Sequence, residues 1–248
     1  MYRGDTRTAS KQGTIFLYHG VTSCKEEVLP ELKLIAEAGY LAIGVDNVGH
    51  GERSEDIFSK DVFDKSRPEC VEAMTKAVEK TAVELRNIIN GLHFLGITQG
   101  DKFGVIGISM GAYITYAALI REKRIRVACP VIGSPVIAEN EYSPHNNPDK
   151  IYPRPLLIQN SKDDTVVPVD ATRDFLEKLK TTYADRADLI KYIEYKGEDH
   201  FFTENAWNDV WKNVITFLDS YFLEEEIGSM DAYTDITEKY RKGQNRTE

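Results

Sequence analysis

Three residue types that together can carry out acyl transfer occur in this chain in a definite order. Ser109 stands in Gly107-Ile108-Ser109-Met110-Gly111, Asp163 and Asp164 are adjacent in "NSKDDTVVP", and His200 lies in "GEDHFF". A serine hydroxyl is a weak nucleophile until a histidine takes its proton, and the histidine needs an acid to orient it. G-x-S-x-G is the pattern of a hydroxyl raised on a sharp turn from strand to helix. The glycines let neighbouring backbones pass close, and the helix N-terminus offers N–H groups to a developing oxyanion. The same five residues could also be a turn of small residues selected for packing, which would make no use of the hydroxyl. With the turn in that setting, the partners should follow in the order Ser, Asp or Glu, His. Local chemistry does not choose between Asp163 and Asp164, because an Asp in such a loop is often a turn or capping residue.

The elements that must position these groups can be read from the apolar pattern. "TIFLY" (14–18), "LAIGVD" (41–46), "FGVIGI" (103–108), "VACPVI" (127–132), "PLLIQN" (155–160) and "LIKYIEY" (189–195) are strand candidates. Helical spacing covers about 26–38, then 68–95 with Val71, Met74, Val78, Leu85, Ile88, Leu92 and Leu95 on one stripe, then stretches ending near 121, 182 and 223. Strands that alternate with helices and read as near-continuous apolar runs predict a mostly parallel sheet covered on both faces. The ligand crevice of such a sheet lies beyond the carboxyl ends of its strands. Ser109, the Asp163-Asp164 pair and His200 each fall just after a different strand.

Two further strand ends carry polar motifs. After the first strand, His19-Gly20-Val21-Thr22 can supply a backbone N–H, that of Val21, to pair with the N–H of Met110 around an oxyanion. His19 then holds the loop and is not a base. After the second strand, Asp46 and His50 in "DNVGHGERS" could suggest a metal. Two such groups without a third or fourth ligand are better read as a hydrogen-bonded loop. Trp207 and Trp211, at helical spacing, read as core, and Glu224 to Glu226 as a solvated helix end. Cys24 lies near the first loop with nothing to pair it with a base.

Composition narrows the function. The chain has 248 residues, 42% of them hydrophobic, and a formal charge of −9. This acidic balance disfavours nucleic acid and anionic membrane surfaces as partners. The cysteines number only 3, widely separated and without metal spacing, and "MYRGDTRTASKQG" has no apolar leader. These features predict a soluble, cytoplasmic protein without metal or organic cofactor.

Taken together, "YHGVTS", "DNVGHGERS", "GISMGA", "DDTVVP" and "GEDH" resemble the α/β-hydrolase superfamily over residues about 14–222. Within it the likeness is to small carboxylesterases, dienelactone hydrolases and prolyl-oligopeptidase-like domains. The family's D-x-x-V-P motif falls on Asp164 to Pro168, so the resemblance implies Asp164 as the acid beside His200 and an acyl-enzyme on Ser109, with Val21 and Met110 holding the oxyanion. It also implies a single three-layer α/β/α domain. Only the 13 residues before Thr14 are left for the antiparallel strands that usually open the family's sheet, so a sheet of about six strands is expected, truncated at its N-terminus. The expected lids are short loops at about 48–67 and 136–154, with a C-terminal tail at 224–248. "LAIGVD" then lies near a sheet edge, which the N-terminal segment, the tail or a second subunit of a homodimer should cover. The expected substrate is a small or medium carboxylic ester or thioester. A short-peptide or amide hydrolase and a silent binding domain on the same scaffold are the competing readings.

Overall fold

In a computed structural model, residues 6–98, 100–137 and 143–223 are described. The apolar runs form β1 (Thr14–Tyr18), β2 (Leu41–Val45), β3 (Phe103–Ile108), β4 (Ile125–Val131), β5 (Leu156–Ser161) and β6 (Ile190–Tyr195). Between and around them run α1 (Thr6–Gln12), α2 (Leu29–Glu37), α3 (Pro68–Phe94), α4 (Met110–Arg121), α5 (Asp170–Thr182) and α6 (Glu204–Phe222). The six strands are all parallel, in the order β2-β1-β3-β4-β5-β6.

The strands are largely apolar because alternate side chains enter two different cores. Phe16, Tyr18, Phe103, Val105, Leu156 and Ile158 face α3, α4 and α5, where they meet Val78, Leu85, Ile114 and Phe175. Ile15, Leu17, Ile106, Cys129 and Leu157 face α2 and α6, against Ile35, Val214 and Leu218. Each strand thus serves two layers with a period of two. The deepest positions of α3 are Cys70, Ala77, Val78, Thr81, Ala82, Leu85 and Ile89. Of the stripe expected from the sequence, Val71 and Leu95 are solvent-exposed.

The strand order determines where a site can form. The chain moves outward from β1 to β2, then crosses back to β3 on the other side of β1. The connections leaving β1 and β3 therefore diverge, and a crevice opens between their carboxyl ends. The residues bordering it are His19 to Cys24 and Ser109 onward.

Helix α1 has no counterpart in the sequence reading, because "TRTASKQ" lacks an apolar stripe. It is held instead by polar contacts at its end: Gln12 Nε2 donates to the Ala38 carbonyl at 2.8 Å. It contacts β1 and the edge strand β2. The tail at 224–248 falls outside the described residues. Among the described residues, no helix is long and apolar enough to cross a membrane.

Candidate active site

Ser109 sits between β3 and α4 with φ 54° and ψ −113°. A side chain in this region of backbone space costs roughly 1–3 kcal/mol and persists only where the surroundings hold it. Here they do. A Cβ on Gly107 would stand 1.9 Å from the Gly111 carbonyl oxygen, and one on Gly111 would stand 2.1 Å from the Tyr18 carbonyl oxygen. A third glycine completes the fit: a Cβ on Gly133, after β4, would lie 2.3 Å from the Ala112 Cβ. Gly107 and Gly111 belong to the sequence motif. Gly133 was missed, its signal being only a glycine two residues past a strand end.

Among the described residues, Thr22 at φ 61° and Ile132 at φ 48° are the other non-glycine residues with positive φ. With Ser109, they follow β1, β4 and β3, so the strained backbone is confined to the carboxyl ends of three neighbouring strands.

The structure brings Ser109, His200 and Asp164 into one hydrogen-bonded line. His200 Nε2 is 3.0 Å from Ser109 Oγ, and His200 Nδ1 is 2.7 Å from Asp164 Oδ2. With Nδ1–H donating to the carboxylate, Nε2 is left to accept the Ser109 hydroxyl proton. Both His200 and Asp164 are buried, at 6% and 7% exposure. The other oxygen of Asp164, Oδ1, accepts from the backbone N–H groups of Val166 and Val167 at 2.8 and 2.7 Å, so the carboxylate is held from both sides. Asp163 does something else: its Oδ2 accepts from Gly197 N at 2.9 Å and ties the β5 loop to the β6 loop.

Asp199 was missed in the sequence. Its Oδ1 accepts from His200 N at 2.7 Å and from Thr165 N at 2.9 Å, so one carboxylate oxygen spans the loop of the acid and the loop of the histidine. These bonds hold the Asp199 carboxyl below its usual range. Tyr113, one turn beyond Ser109 on α4, was also missed. Burial, reinforced by the charge of Asp164, pushes its phenol up to about 12. Asp199 lies inside the "GEDH" stretch, but nothing local distinguishes its carboxylate from those around it, and Tyr113 belongs to no recognisable motif.

On the β1 side, a Cβ on Gly20 would be 3.6 Å from the Ser109 Cβ, so this loop passes directly beside the serine. Among the described residues, neither Val21 N nor Met110 N donates to a protein acceptor. Val21 lies in the loop after β1, and Met110 opens α4 directly after Ser109.

His19 is fully buried, and both its ring nitrogens are engaged. Nδ1 donates to the Gly20 carbonyl at 2.7 Å, and Nε2 accepts from Asn47 N at 3.1 Å. Burial lowers its pKa to about 4, so the ring is neutral and its 3.8 Å approach to Asp46 is not an ion pair. Asp46 is matched instead by Lys25, at 2.6 Å. Burial alone would raise the Asp46 carboxyl, but the Lys25 bonds hold it below its usual range. His50 stacks on Phe58 at 4.3 Å. "DNVGHGERS" is thus a hydrogen-bonded loop. Further along the 48–67 segment, Lys65 Nζ donates to the carbonyls of Thr165 and Val166, anchoring the segment beside Asp164.

A parallel sheet with helices on both faces, and a serine on a strained turn after the central strand β3, define the α/β-hydrolase fold. The chain belongs to the dienelactone hydrolase family, whose sequence model matches residues 14–222. It is similar to "Putative esterase YitV" of Bacillus subtilis, with 26% identity over 75% of this chain and 82% of that one. TT1662 from Thermus thermophilus shares the fold with a TM-score of 0.71 at 21% identity, over 84% of this chain and 88% of that one. The "Putative Dienelactone Hydrolase" of Klebsiella pneumoniae shares it with a TM-score of 0.70 at 15% identity, over 88% and 90%.

Two predictions follow from the geometry around the histidines. His19 is neutral in the folded state, with a pKa of about 4, while an unfolded histidine titrates at 6.5. The unfolded chain therefore takes up the proton first. Stability is full above pH 6.5 and falls by about 3 kcal/mol as pH drops toward 4. His50, also lowered by burial, adds in the same direction. Denaturant titrations at several pH values should show this slope, reduced in His19→Gln; an unreduced slope would contradict the assignment. Second, the proton between His200 Nδ1 and Asp164 should give a low-field ¹H NMR resonance that is lost in Asp164→Ala and broadened in Asp199→Ala. A sharp, unmoved signal in Asp199→Ala would mean that the loop tie does not fix the imidazole.

Proposed function

We propose that this chain is a serine esterase that cleaves small or medium carboxylic esters through Ser109, His200 and Asp164. The observation that carries the reading is the unbroken line from Ser109 Oγ to His200 Nε2 at 3.0 Å and from His200 Nδ1 to Asp164 at 2.7 Å. Membership of a hydrolase family and the esterase name of the Bacillus subtilis relative support it.

The chemistry follows from the positions. Ser109 Oγ attacks the ester carbonyl as its proton passes to His200 Nε2. The carbonyl π electrons move onto oxygen, and the N–H groups of Val21 and Met110 stabilise that charge. The tetrahedral centre collapses, the C–O bond to the alcohol breaks, and His200 returns the proton to the leaving oxygen. Water, deprotonated by His200, then attacks the acyl group on Ser109, the bond to Oγ breaks as His200 returns the proton to it, and the acid is released. Asp164 keeps His200 in the required tautomer and stabilises the imidazolium. No step requires a metal or an organic cofactor.

The test is a p-nitrophenyl ester series of increasing acyl length on wild type and Ser109→Ala, beside an aminoacyl amide. Wild type should hydrolyse the short esters, and Ser109→Ala should lose about 10⁶-fold in kcat/KM. Equal rates in the two proteins would remove Ser109 from the chemistry. Cleavage of the amide alone would replace the esterase with a peptidase.

A further inference from the structure

The two phenylalanines after His200 have opposite fates. Phe202 turns inward, its ring 5.1 Å from Tyr195 and 6.1 Å from Trp207, and packs against the α6-side core. Phe201 remains 85% exposed. A lone exposed apolar residue is ordinary and says little. Phe201 differs in what it touches: its ring stands at 90° to the His200 imidazole with centroids 5.4 Å apart. The base is therefore flanked by an aromatic ring that is itself largely open to solvent.

The reaction geometry says which part of a substrate meets that ring. The leaving oxygen must come within hydrogen-bond reach of the group that protonates it, and here that group is His200 Nε2. The carbonyl oxygen lies toward Val21 and Met110. The surface continuous with His200 therefore borders the alcohol portion of the ester. We propose that Phe201 forms the alcohol-side subsite and that the enzyme favours esters of aromatic or bulky apolar alcohols. An aromatic alcohol would cover Phe201, take two apolar surfaces out of water and gain ring-to-ring contact. A methyl ester would leave Phe201 bare.

This inference rests on the esterase reading, and one experiment separates the two. Methyl acetate, benzyl acetate and methyl hexanoate are compared by pH-stat on wild type, Phe201→Ala and Phe201→Leu. The leaving groups methanol and benzyl alcohol are similarly basic, so their ratio reports binding in the transition state. In Phe201→Ala, the benzyl-to-methyl ratio of kcat/KM should fall about tenfold, with most of it recovered in Phe201→Leu. The hexanoate-to-acetate ratio should remain within about twofold. An unmoved benzyl-to-methyl ratio, or a loss confined to the hexanoate-to-acetate ratio, overturns the assignment while leaving the esterase intact. If the wild type hydrolyses none of the three esters, both readings fall.

Discussion

The clearance around Ser109 is the constraint on which the rest of the structure depends. A serine at φ 54° is held by no favourable local preference. It stays there because β1, β3 and β4 bring their ends so close that only glycine fits at 107, 111 and 133. The β4 strand end contributes directly, since Ser109 N donates to the Val131 carbonyl at 2.9 Å. Remove that clearance and the turn relaxes, carrying the hydroxyl away from His200. The strain is local, but the means of holding it are spread over three strands and two cores, so the packed sheet is itself part of the site.

Around this fixed point, carboxylates on two loops perform separate tasks. Asp164 meets the imidazole, Asp163 holds Gly197, and Asp199 joins Thr165 to the backbone of His200. Glu198 reaches forward to Thr203, accepting from its N–H at 2.7 Å and from its hydroxyl at 2.8 Å. Thr203 in turn caps α6, whose other end is locked to the sheet by the bond from Lys102 Nζ to the Phe222 carbonyl. The loop that carries His200 is thus tied to the acid loop on one side and to a long packed helix on the other. A histidine on an otherwise mobile loop would lose most of its value as a base, because a misplacement of about 1 Å costs roughly 10²-fold in rate.

The sequence made the fold legible because most strands are short, largely apolar runs and the serine, acid and histidine each follow a different strand. Those features follow from a doubly covered parallel sheet, and they put Ser109, the Asp163-Asp164 pair and His200 at the carboxyl ends of its strands. Contacts between loops were not legible. Asp163, Asp164 and Asp199 are chemically identical in the sequence, and only their partners distinguish them. Nor does "HFF" reveal that one phenylalanine is core and the other is exposed against the base. Helix α1 escaped for a different reason: its stability comes from docking onto β1 and β2, not from its own pattern.

In the proposed reaction Ser109 carries the acyl group. The most direct measurement is mass spectrometry after rapid acid quench of the enzyme turning over p-nitrophenyl butyrate, with peptide mapping of any added mass. One butyryl group per chain is expected, located on the peptide containing Ser109 and absent when the substrate is omitted. Continued turnover with no acylated chain, or with the acyl group on another residue such as the partly exposed Cys24, would contradict it.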